Sequence, residues 1–181
     1  DLSEHLYQAM IDIGDGIELC VEAGGDPKNP PLLMIMGLGS QMIFWPDNFI
    51  KRFIDGGFFV IRFDNRDIGL SSKVQIDGLP RISQLKMMMR LQTGLSNKGA
   101  PVAYNLTDMA EDTARLIKAL KLGKTHLLGA SMGGMIAQIV AARYPSLVQR
   151  MALMFTTTKL AFLIPPKPKQ LYTLINRPES H

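Results

Sequence analysis

The chain has 181 residues, 46% of them hydrophobic and 20% charged, with 16 Gly, 11 Pro, one Cys and a net charge of +4. At roughly 150 residues per domain this is a single domain of globular composition, which excludes disordered, collagen-like and low-complexity classes. The lone Cys20 cannot form an internal disulfide, and no Cys/His cluster has metal-ligand spacing. The longest apolar runs, Leu32 to Met36 and Met151 to Phe155, are far shorter than the ~18 residues of a membrane span.

In chain order, the first residues mix acids with apolar side chains and lack the basic-then-apolar order of a signal peptide, so a cytoplasmic location is expected. Ile17 to Glu22 alternates apolar and polar residues, the period of a strand with one buried face, and is placed toward a sheet edge. A turn-rich stretch from Gly24 to Pro31 precedes Leu32-Leu33-Met34-Ile35-Met36, a continuous apolar run that predicts a central parallel strand. Pro46 to Asp55 carries a helical stripe at Phe49, Ile50, Phe53 and Ile54, with Pro46 in the first turn and Gly56-Gly57 as the stop. Phe58 to Phe63 reads as the next strand, completing a parallel crossover unit.

Residues 64–106 form an excursion rather than a second domain, with Met87-Met88-Met89 and Leu91 in a possible short helix that packs a lid or lines an apolar cleft. Thr107 is the expected N-cap of a helix whose face is Met109, Thr113, Leu116, Ile117 and Leu120, ended by Gly123. Thr125 to Ala130 is a strand. Met132 to Arg143 is a helix with Met135, Ile136, Ile139 and Val140 inward, stopped by Pro145, and Arg150 to Phe155 is a further strand. There is no internal repeat. The alternation specifies an α/β fold with a mostly parallel sheet covered on both faces. The basic residues Lys159, Lys167 and Lys169 are separated by prolines rather than aromatics, the pattern of a solvated surface and not of a nucleic-acid site.

The chemistry-bearing motif is Gly129-Ala130-Ser131-Met132-Gly133, a G-x-S-x-G placed where a strand ends and a helix begins. A serine on so sharp a turn takes strained backbone angles, glycines two residues either side let the turn close, and the helix N-terminus aims N–H groups at developing negative charge. The Met132 N–H is one expected oxyanion donor. The Leu38 N–H is the second, because Met36-Gly37-Leu38-Gly39 follows the first central strand. Asp64 and Arg66, in the run Asp64 to Ser71, are expected to hold a loop at the rim of the site. Gly123-Lys124-Thr125 resembles the end of a phosphate-binding loop, but Lys118 stands where the earlier glycine is required and a strand follows, so nucleotide binding is rejected.

The segments Leu33 to Pro46, Ile61 to Ser72 and Gly129 to Gln138 resemble the α/β-hydrolase fold superfamily, and within it the aclacinomycin-methylesterase-like serine hydrolases. The likeness spans residues 13 to about 158 and implies a single partial α/β-hydrolase domain across 1–181, with its core at 13–158 and the start of a lid at 159–181. It also implies a cofactor-free hydrolase of small carboxylic esters, with Ser131 as nucleophile and an oxyanion hole from Leu38 and Met132, and the lack of metal-ligand spacing adds the expectation of no metal. Many superfamily members have His where Met36 stands; since the donor is backbone, the difference is expected to be silent.

The superfamily's triad runs Ser, acid, His, and its last two members are not found here. His5 precedes the first strand, His181 is terminal, and His126 lies five residues before Ser131 on the same strand, about 16 Å away at ~3.3 Å per residue. Thr156-Thr157-Thr158 follows the last strand where an acid could stand. With Asp1 rather than Met at the start, the expectation is an N-terminal fragment that lacks the closing strands, is inactive alone and exposes its last strand as an unpaired apolar edge. The alternatives are a cofactor-free haloperoxidase or perhydrolase, and a non-catalytic interaction module. Oligomeric state is not legible.

Overall fold

The computed structural model describes residues 6–74 and 103–158. Its strands are β1 (Tyr7–Asp12), β2 (Glu18–Gly24), β3 (Pro31–Ile35), β4 (Phe59–Phe63), β5 (Thr125–Ala130) and β6 (Val148–Met154). Its helices are α1 (Asp47–Asp55), α2 (Leu106–Ala119) and α3 (Met132–Arg143), with short 3-10 turns at Met42–Phe44 and Pro145–Leu147. The strands form one sheet in the order β1-β2-β4-β3-β5-β6. β1, β2 and β4 pair antiparallel, while β4, β3, β5 and β6 run parallel.

The central strands explain their own composition. In β3, Leu33 and Ile35 face one core with Ile61, Phe63 and Leu127, against Ile117 of α2 and Ile136 and Val140 of α3. Leu32 and Met34 face the other, with Val60 and Leu128 against Trp45 and, from α1, Ile50. Each Leu or Ile fully withdrawn from water contributes about 1.5–3 kcal/mol, so a strand buried on both faces must be apolar at every position. The run Leu32 to Met36 was legible for this reason.

Several expectations shift. β2, expected near an edge, is the second strand in, because β1 lies outside it. β1 leaves no periodic signal, since most of it is exposed, Tyr7 by 83%. Pro46 is the N-cap of α1, not a first-turn residue. The N-cap of α2 is Asn105, not Thr107: its side chain accepts from the Thr107 and Asp108 amides while Asp108 accepts from the Asn105 amide, a reciprocal box that Thr107 would have to displace. In α3, Ile136, Ala137 and Val140 are buried but Met135 and Ile139 only half-buried.

Among the described residues β6 has a partner, β5, on one side only, and Met151, Leu153 and Phe155 are exposed along and beyond it. The Met87 to Met89 cluster, the region 159–181 with its lysines, and His5 and His181 lie outside the described residues. No described helix is long and apolar enough to cross a membrane.

Candidate active site

The parallel strands deliver their following loops to one edge of the sheet. Ile35 pairs with Phe63 on one side and Gly129 on the other. Two residues beyond that row come Asn65, Gly37 and Ser131, so the three expected loops meet side by side at the carboxyl ends of β4, β3 and β5.

Ser131 stands between β5 and α3 with φ +53° and ψ −119°, a left-handed conformation that an L-residue adopts at a cost of roughly 1–3 kcal/mol. The turn is held on both sides. The Ser131 amide donates to Met154 O at 2.9 Å, and its carbonyl accepts from the Gly134 amide at 3.0 Å and from Thr156 Oγ1 at 2.7 Å. The side chain is exposed.

The glycines are required by contact. A Cβ on Gly129 would lie 2.5 Å from Gly133 O, one on Gly133 would lie 2.1 Å from Ile35 O, and one on Gly134 would lie 2.6 Å from Thr156 Cγ2. The first turn of α3 therefore rests directly on the backbone of β3.

The same closeness brings the Leu38 loop to Ser131. A Cβ on Gly37 would sit 3.2 Å from Ser131 Cβ and 3.6 Å from its Oγ. Gly39, at φ +64°, turns the chain away, and the Ser40 amide closes the loop on Gly37 O at 3.3 Å. Among the described residues neither the Leu38 nor the Met132 amide has a hydrogen-bond partner. Met132 opens α3, where the helix leaves its first N–H groups free and carries the positive end of its dipole. A serine hydroxyl and two unengaged amides thus meet at one turn, the arrangement needed to attack a carbonyl and bind the resulting oxyanion.

The loop after β4 is a buttress. Asp64, 3% exposed, accepts from the Met42 amide at 2.6 Å through Oδ1. Arg66 makes a two-pronged ion pair with Asp112 of α2, both contacts at 2.5 Å, and its guanidinium lies 4.9 Å from the Tyr104 ring centroid. Both expected loop-holding roles fit this geometry. Removing one member of a buried pair strands the other's charge, at about 3–5 kcal/mol. Arg66→Met is therefore expected to cost roughly 3 kcal/mol in urea denaturation, and Arg66→Lys about half of that; a loss under about 1 kcal/mol for Arg66→Met would mean that Asp112 is not stranded.

His126, the one histidine among the described residues, is half-buried on β5 with its ring 5.5 Å from Phe58 in an edge-on contact. It is a packed strand residue, five positions before Ser131 in the chain. A cleft of about 410 Å³ between the Pro27–Pro31 turn, Phe59 and Leu120–Leu122 lies at the opposite edge, where β3 and β4 begin, and no site residue lines it. Sequence reasoning missed two groups that hold the site. Thr156 was noted only as not acidic, although its place two residues past Met154, the partner of Ala130, puts it beside the turn. Asn65 was passed over between two charged neighbours; its Nδ2 donates to Met36 O at 3.2 Å.

Comparison with known proteins bears on the family and the fold. A family model described as alpha/beta hydrolase fold matches residues 30–174. Rhodomycin D methylesterase of Streptomyces peucetius is 29% identical over 140 residues, covering 77% of this chain and 39% of its own length. A bacterial membrane phospholipase A, a virulence factor, superposes with TM-score 0.64 at 28% identity over 84% of this chain and 40% of its own. The 2-hydroxy-6-oxo-6-phenylhexa-2,4-dienoate hydrolase of Rhodococcus sp. strain RHA1 superposes with TM-score 0.67 at 19% identity, over 93% of this chain and 53% of its own, a likeness of fold. The chain spans about two-fifths of the length of the methylesterase it matches.

Proposed function

Because the chain belongs to the α/β-hydrolase fold family, we propose that it carries the nucleophile and oxyanion hole of a serine hydrolase acting on small carboxylic esters. The observation that carries this reading is Ser131 held at φ +53° on the β5–α3 turn with the Gly37 backbone packed against its side chain. Ser131 Oγ attacks the ester carbonyl; the Leu38 and Met132 amides receive the oxygen as it becomes negative; the alcohol leaves and an acyl-serine remains, which water then hydrolyses. No step needs a metal or cofactor. Likeness to proteins named a methylesterase and a phospholipase supports the ester class.

The general base is a separate question. His126 is about 16 Å up the strand at ~3.3 Å per residue, out of reach of the serine proton. Without a base, Ser131 keeps its proton and turnover falls by orders of magnitude, so the described residues supply the nucleophile and the oxyanion donors of the reaction.

A fluorophosphonate tests the assignment, because its phosphoryl oxygen occupies the oxyanion position once serine has displaced fluoride. In the protein that carries this chain, intact-mass spectrometry is expected to show one adduct, mapped by peptide fragmentation to Ser131. An adduct on any other residue, or none on folded protein, would remove the assignment.

A further inference from the structure

We propose that Asn65 is a positioning residue for the oxyanion hole, fixing through one hydrogen bond the Met36–Gly37 peptide, the anchor immediately upstream of the peptide that carries the Leu38 amide. The inference rests on reading Ser131 as the nucleophile, and deepens it. The Leu38 loop has a problem of freedom: Leu38 stands between Gly37 and Gly39, the residue type with the widest range of backbone angles, and Gly39 already uses a left-handed conformation. A donor that must point at a developing charge cannot rest on two swivels. Its upstream end needs a clamp.

The structure supplies one. Asn65 follows β4, is 3% exposed, and stands next to Gly37 across the sheet as Gly37 stands next to Ser131. Its Nδ2 donates to Met36 O at 3.2 Å. Gly133 also packs close to that carbonyl: a Cβ added there would lie 2.8 Å from Met36 O. The Met36–Gly37 peptide is thus bonded by an amide donor and packed close to the first turn of α3. Asn65 is itself held by the loop, its carbonyl accepting from the Ile68 amide at 3.0 Å. Its two neighbours act elsewhere: Asp64 engages Met42, and Arg66 engages Asp112. A buried side chain bonded to backbone does not touch substrate; it acts through the loop.

Losing an oxyanion donor outright lowers turnover by about 10²–10³, and a donor present but less well aimed loses part of that. In the protein that carries this chain, Asn65→Leu and Asn65→Asp are each expected to lower kcat about tenfold on a p-nitrophenyl ester at pH 7.5–8, with KM within about twofold, since the hole tightens in the transition state. The two differ in one respect. The carboxyl introduced by Asn65→Asp regains an O–H donor when protonated, so its kcat relative to wild type rises as pH falls, whereas the ratio for Asn65→Leu stays flat. Ser71→Ala is the control for a merely structural effect: it removes a buried hydroxyl of the same loop, bonded to Asp64 O and the Cys20 amide, without touching Met36. Its kcat is expected to stay within about twofold of wild type.

Full kcat in Asn65→Leu, an equal fall in Ser71→Ala, or a flat ratio in Asn65→Asp would overturn the positioning role. If Asn65→Leu does not fold, the pH ratio of Asn65→Asp decides alone. Hydrolysis that survives Ser131→Ala would instead overturn the serine reading beneath it, so the two failures are distinguishable.

Discussion

Ser131→Ala is expected to abolish fluorophosphonate labelling and to lower ester hydrolysis by a factor of about 10⁴ or more in the protein that carries this chain, while leaving stability within about 0.5 kcal/mol. The change removes only Oγ, which takes no part in the contacts that hold the turn: the amide of residue 131 still reaches Met154 O, and its carbonyl still accepts from Gly134 and Thr156. Ser131→Gly should separate chemistry from strain. Both variants lack the nucleophile, but glycine adopts φ +53° without the Cβ conflict that serine and alanine share. Against the relief stands the added freedom of the unfolded glycine chain, about 0.4–1 kcal/mol. The net expectation is about 1 kcal/mol of stabilisation for Ser131→Gly over Ser131→Ala, read as a rise of roughly 2–4 °C in Tm. Equal melting of the two variants would mean that the turn stores no more strain than the roughly 0.4–1 kcal/mol offset by glycine's added freedom, and hydrolysis surviving in either would mean that another group attacks.

The parts of this site that could be read from the sequence are those whose neighbours are close along the chain. Gly129 and Gly133 flank Ser131 within one turn, and a strand-like run followed by a helical stripe marks where that turn lies. The interior strands were readable for a related reason, since burial on two faces forces an unbroken apolar run at Leu32 to Ile35. What could not be read depends on partners far apart in sequence. Asn65 reaches Met36 across 29 positions and Thr156 reaches Ser131 across 25, and neither residue type announces its target. β1 escapes because a strand with nearly every position exposed obeys no hydrophobic period, and the N-cap of α2 falls at Asn105 rather than Thr107 because two cap-forming residues two positions apart differ only in which one Asp108 can answer.

Gly133→Ala is expected to prevent folding, at a cost above about 5 kcal/mol, which is a large share of the 5–15 kcal/mol typical of a whole domain. Ordinary overpacking costs about 1–3 kcal/mol because side chains yield. Here the new Cβ would meet Ile35 O at 2.1 Å, Ile35 C at 2.6 Å and Met36 O at 2.8 Å, all backbone of the central strand. β3 cannot retreat, since it is paired with β4 on one side and β5 on the other. Nor can α3 lift away, because the residue that leads into it is tied to β6 through Ser131 N–H to Met154 O and through Thr156 Oγ1 to Ser131 O. Gly134→Ala meets only the Thr156 side chain and should cost less, about 2–3 kcal/mol. Gly57→Ala, at φ +82° with nothing within 4 Å of the new Cβ, should cost only the conformational penalty of about 1 kcal/mol. Soluble yield and urea midpoints are expected to fall in that order. Gly133→Ala folding with a loss under 2 kcal/mol would separate α3 from β3, and with it the contact that brings Ser131 and the Leu38 loop together.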